Sequence, residues 1–152
     1  MTSFKAELPT ELIRQFEELG NSIEDIADKM TEAGANTVLP QVNRNLEKSA
    51  ASGYETGELR RSIIIKRFKG KNGIGRVITF SGTSKERRAA KNGKVYPRKK
   101  PQRLNEIAAV LEYGRSGQAP RPFLRTAFIE KEHDIAAAME EIFDKETRKY
   151  RN

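Results

Sequence analysis

Apolar side chains recur at helical spacing along the first fifty residues. Leu8, Leu12, Ile13, Phe16 and Leu19 fall on one helical face, and Gly20-Asn21 ends that run. Ser22, with Asp25 three residues on, forms a weak capping box for a second helix. Ile23, Ile26, Ala27, Met30, Ala33, Val38, Val42, Leu46 and Ala50 then keep close to a 3.6-residue period. The spacing predicts one long helix over 22–51. Pro40 lacks a backbone donor and crowds the preceding turn, so a kink or break is expected near Val38 and Leu39.

After Ser52-Gly53 the pattern changes. Residues 54–62 read as a turn followed by a short helical turn. The β-branched run Ile63 to Phe68 predicts a strand, Lys69 to Gly73 a turn with an Asn-Gly signal, and Ile74 to Phe80 the returning strand. Alternation is imperfect on both strands, which predicts cover on both faces. Residues 81–103 have little apolar content and many Gly, Lys and Pro residues, the signature of a long loop. Leu104 to Tyr113 reads as a short helix or a helix-to-strand element, and Gly114 to Pro120 as a loop. Pro122 suits the first turn of a last helix. That helix has an apolar face of Leu124, Ala127, Phe128, Ile135, Ala138, Met139, Ile142 and Phe143, and the tail 148–152 is expected to fray. The class is α+β: a long N-terminal helical region, a small antiparallel sheet or hairpin, and a C-terminal helix packed on the sheet.

The 152 residues suit a single domain spanning 1–152. With 36% hydrophobic and 33% charged residues, much of its surface is exposed or leans on neighbours. Charge is distributed unevenly. Residues 84–103 hold Lys85, Arg87, Arg88, Lys91, Lys94, Arg98, Lys99, Lys100 and Arg103 against one acid, Glu86. That segment alone carries +8, the formal charge of the whole chain, so the rest is neutral. It is expected to be a mobile basic loop on a balanced body.

Little chemistry is visible. Without cysteine there are no disulfides, thiolate ligands or cysteine nucleophile. The single histidine, His133, lies among Glu130, Lys131, Glu132 and Asp134 on the polar side of a helix and reads as solvated. Gly70 to Gly75 lacks the Gly-Lys-Ser/Thr ending of a phosphate loop, and a strand comes after it where a helix is required. No set of residues is identified as catalytic, cofactor-binding or metal-binding. The N-terminus lacks signal-peptide features, and no run approaches the roughly 20 apolar residues of a membrane span.

Three short motifs stand out: Thr56-Gly57-Glu58-Leu59-Arg60-Arg61-Ser62-Ile63, then Glu112-Tyr113-Gly114, then Arg121-Pro122-Phe123-Leu124-Arg125-Thr126-Ala127. Singly, each has a plain structural explanation: glycines for positive φ, a proline opening a helix, an aromatic in the core. In this order they resemble the head–tail joining, or gene-ten-like tail-completion, family of long-tailed bacteriophages, from about Leu12 to about Ile142. The resemblance implies structural roles for Thr56, Gly57, Leu59, Ser62, Glu112, Tyr113, Gly114, Pro122, Phe123 and Ala127. It further implies a virion protein of the neck, made in the host bacterial cytoplasm and assembled in a homo-oligomeric ring, with six-fold symmetry favoured. The implied partners are other neck and tail proteins: connector, stopper, tail terminator or tail tube.

The main expectation is therefore an assembly protein without enzymatic activity. The alternative is a nucleic-acid-binding module acting through residues 84–103, whose cations could neutralise several phosphates. Only Tyr96 is aromatic in that segment, which gives stacking on single strands little support. The nine basic residues are the candidate partner-binding set, and whether they meet protein, DNA or solvent is left open.

Overall fold

A computed structural model describes residues 4–7, 10, 13, 20–51, 57–88 and 92–148. The helical run read from Leu8 to Leu19 falls mostly outside these residues, as do Thr56, Lys91 and the tail beyond Arg148.

Helix α1, Ile23–Ala51, comes after a short 3-10 turn at Gly20–Ser22. Its buried positions Ile26, Met30, Val38, Val42 and Leu46 form the predicted stripe. Pro40 does not break the helix. Both Pro40 and Asn36, whose carbonyl loses its partner, are exposed, so water can take the place of the missing donor. A five-residue helix α2, Glu58–Ser62, leads into strands β2, Ile63–Gly70, and β3, Gly73–Phe80. These pair antiparallel around Lys71-Asn72 as the sequence predicts. A strand β1, Phe4–Glu7, which the sequence did not reveal, adds to the other edge of β3 and gives the order β1-β3-β2.

The central strand β3 is covered on both faces: Ile74, Ile78 and Phe80 are buried, and so is Thr79, which hydrogen-bonds Asn105. Asn105 belongs to helix α3, Leu104–Tyr113. The last helix, α4, Leu124–Thr147, shares a core with the sheet and α3 and runs antiparallel along α1. Lys29 near the start of α1 meets Glu146 at the end of α4, and Asn45 near the end of α1 meets Phe123 at the start of α4. Gly34 lets the two helices approach: a Cβ there would lie 3.3 Å from Ile135 and Met139. Ion pairs tie α1 to the sheet. Asp28 receives Arg67 at 2.6 Å and Arg76 at 2.9 Å. Lys69 bonds Glu24 at 2.5 Å, and this bond and the positive charge of Lys69 hold the Glu24 carboxyl below its ordinary pKa.

Two local expectations change. Residues 83–103, expected as an irregular loop, are largely a two-stranded antiparallel ribbon, β4, Thr83–Arg88, and β5, Val95–Arg103. Backbone pairing, not apolar burial, builds it, so hydrophobic patterning could not announce it. Pro122 lies just before the cap of α4, not in its first turn, because Phe123 occupies the cap position and the helix starts at Leu124.

Phe123 is fully buried and meets Phe80 edge-on, with ring centroids 5.8 Å apart. Replacing it by alanine removes the aromatic that joins sheet and helices. Phe123→Ala is expected to cost about 3–5 kcal/mol, read as a lower midpoint in chemical denaturation. An unchanged midpoint would show that the ring contributes nothing to the core.

Candidate functional site

Two features account for the motifs and the charge. The first is a buried junction between α3, α4 and α1. Phe123, at the cap of α4, has no side-chain oxygen with which to cap the helix. The missing acceptor comes from the end of α3. Glu112 Oε2 accepts the Phe123 N–H at 2.8 Å and the Leu124 N–H at 3.0 Å, and Oε1 accepts the Arg125 N–H at 3.0 Å. A carboxylate among the free amides of a helix N-terminus combines charge-assisted hydrogen bonds with a favourable helix dipole. These offset the cost of burying Glu112, which is 3% exposed.

The turn between the helices makes this reach possible. Gly114 adopts φ 75°, and a Cβ there would lie 2.8 Å from both the Gln118 carbonyl oxygen and the Pro120 nitrogen. Only glycine fits the position without displacing backbone. The Gly114 N–H closes on the Val110 carbonyl and the Arg121 N–H on the Leu111 carbonyl, satisfying the end of α3. On the other side of the junction, the Asn45 side chain of α1 donates to the Phe123 carbonyl at 3.1 Å while accepting from Gln41.

The second feature is the ribbon. Its base is fixed by Glu58, the first residue of α2. Glu58 accepts a hydrogen bond from the Ser84 hydroxyl and another from the Lys85 N–H at 3.2 Å. The Leu104 N–H bonds the Gly82 carbonyl where β5 passes into α3. Register shifts between Ser84 and Glu86, so that residues 98–101 bulge opposite Lys85. Arg98 holds this bulge. It donates to the Ser84 hydroxyl at 3.0 Å, the Glu86 carbonyl at 2.8 Å and the Gln102 side chain at 3.1 Å.

The nine candidate cations therefore separate. Arg98 is turned inward and holds the ribbon together. Arg87 lies over the Tyr96 ring at 6.0 Å. Lys85, Lys94, Lys99, Lys100 and Arg103 are exposed. Lys91 and the side chain of Arg88 fall outside what is described. Among the motif residues, Leu59, Phe123 and Ala127 are core, and Ser62 is buried with its hydroxyl on the Leu59 carbonyl. Gly57 has φ 91° at the entry to α2, and Pro122 is half-buried. Tyr113 differs from the rest: it stands 61% exposed beside the buried Glu112. The sequence motifs mark Glu112 without revealing what it does, and they give no sign of the parts played by Glu58 and Asn45. The acceptors and donors of these residues lie far along the chain, so no local spacing marks them.

Among the described residues no group of three or more His, Asp or Glu side chains is placed to hold a metal ion. None of the described helices is long and apolar enough to cross a membrane. A family model described as "Bacteriophage HK97-gp10, putative tail-component" matches residues 10–114. The chain belongs to this family of phage tail components. The match takes in α1, α2, strands β2 and β3, the ribbon and α3 as far as Glu112 and Gly114; it leaves out β1 and ends before the Arg121–Ala127 motif. No curated protein and no solved structure matches the chain.

Glu112→Ala would leave three amides at the start of α4 without an acceptor. The expected loss is about 2–4 kcal/mol, with Glu112→Gln losing less because one oxygen remains. Thermal or chemical denaturation of both variants checks the order. A Glu112→Ala protein as stable as wild type would show that water replaces the carboxylate at no cost.

Proposed function

We propose that this tail component works at the neck of the virion, where it completes the tail and joins it to the head as one subunit of a ring. On this reading the protein is structural and carries out no catalysis. The observation that supports it is the union of family membership with the basic ribbon. Residues 84–103, most of them in the ribbon, carry the whole formal net charge of the chain, while the remainder is neutral and holds the core. Such a projection suits contact with an acidic face on a neighbouring neck or tail protein, or on another subunit.

The second reading is nucleic-acid binding through the same ribbon, favoured by its exposed cations. Function argues against it as the main role. A conduit must let DNA pass, whereas a ring of basic arms lining it would hold DNA through counterion release.

Neutralising Arg87, Arg88, Lys99 and Lys100 together separates the readings. Folding should be intact, since Arg87, Lys99 and Lys100 are exposed and exposed charges contribute at most about 1 kcal/mol each. Joining of tails to heads in extracts should weaken, and more so at high salt, where screening reduces the remaining attraction. Equal joining by both proteins at every salt concentration would contradict the proposal. A parallel loss of DNA affinity would favour the second reading.

A further inference from the structure

The ribbon has an electrostatic counterpart on the chain itself. Helix α4 carries seven acids against three cations, a net charge of −4. Its inner face packs on α1, and its outer face is open. Among the described residues, Glu130, Glu132, Glu140 and Glu141 are exposed and form no ion pair within the chain. Elsewhere among the described residues Glu24, Asp28 and Glu47 each have a cation while Asp25, Glu86 and Glu106 have none, so α4 stands apart by the number of such acids on one helix. At the centre of the outer face stands Ile129, 67% exposed, with Ala136 and Ala137 two turns on. The ribbon carries the opposite charge. Val95 and Tyr96 are its exposed large apolar residues, on opposite faces of β5 as neighbours on a strand, and Arg87 lies over the Tyr96 ring. Lys85, Lys94, Lys99 and Lys100 are exposed and without ion pairs among the described residues.

We propose that the occupant of the outer face of α4 is the basic ribbon of a second copy of this chain. Val95 covers Ile129 and the alanines, and the lysines meet Glu132, Glu140 and Glu141. Three constraints support this pairing. The two surfaces are opposite in charge, and each has an exposed apolar residue, Ile129 on one and Val95 on the other, beside its charges. They are different patches of one molecule, so the contact is head-to-tail, and repeating it with the right rotation closes a ring. Each chain has both halves, so every subunit in a closed ring is satisfied. This inference rests on the ring reading above and names the contact that builds the ring.

Sedimentation velocity of the full chain at low salt, combined with zero-length carbodiimide coupling of lysines to carboxylates, tests it. Two triple variants are needed: Arg87→Glu, Lys99→Glu, Lys100→Glu on the ribbon, and Glu132→Lys, Glu140→Lys, Glu141→Lys on α4. All six positions are exposed, so both variants should melt as wild type does. Wild type should self-associate and couple Lys99 or Lys100 of one chain to a glutamate of α4 in another. Each variant alone should associate at least about tenfold more weakly. An equimolar mixture should recover association, because each reversed ribbon then meets a reversed helix. A mixture that stays dissociated, or wild type that remains monomeric up to about 1 mM, overturns the proposal. The same mixture in tail-joining extracts keeps the two readings apart. Restored association without restored joining upholds the contact and counts against the neck role. Joining that proceeds while the mixture stays dissociated counts against the contact alone.

Discussion

Phe123 is held from three sides, and the arrangement of the helices depends on that grip. Its N–H is bound by Glu112 of α3, its carbonyl by Asn45 of α1, and its ring lies against Phe80 of β3. Each partner comes from a different element, so one residue fixes α4 relative to both α1 and α3 and to the sheet. The Glu112 contact is the most demanding of the three. A buried carboxylate is tolerated only where enough donors converge on it, and the first turn of a helix supplies them. The contact therefore specifies where α4 must begin, to within a residue, while the apolar stripe specifies only which side faces inward.

The junction also bears on the ribbon. Helix α3 is ten residues long, about 15 Å, and has the ribbon at one end and Glu112 at the other. Strand β5 passes into α3 without an intervening loop. Anchoring α3 at Glu112 thus sets the direction in which the ribbon leaves the body, and Glu58 fixes the ribbon's base from the other strand. Within the ribbon, Arg98 turns its guanidinium inward onto the Ser84 hydroxyl and the Gln102 side chain, while Lys99 and Lys100 of the bulge are exposed. The charged arm is thus anchored at its base by hydrogen bonds to two helices, as the partner contact proposed above requires.

Local pattern made much of this fold legible. The stripe from Ile26 to Leu46, the β-branched run at Ile63 and the Lys71-Asn72 turn each announce an element, because helix and strand periods are written in consecutive residues. Strand β1 is four residues long and exists through pairing with β3, so no period could reveal it. The ribbon is built from backbone bonds between polar residues and reads as a loop until its register is known. Pro40 reads as a helix breaker, yet on an exposed face the lost bond can be made to water. The motif at Glu112 pointed to the right residues but not to the reason for them, because the amides it binds are eleven to thirteen residues away across a glycine turn.

Hydrogen exchange at the amides of Phe123, Leu124 and Arg125 tests the central claim most directly. First-turn amides of an uncapped helix exchange readily, because they have no partner within the helix. If Glu112 holds these three, they should exchange only through opening as costly as global unfolding, like the buried middle of α1. Exchange at the rate of a frayed helix end would mean that the carboxylate does not hold α4, and that the junction of α3, α4 and α1 is not what positions the fold.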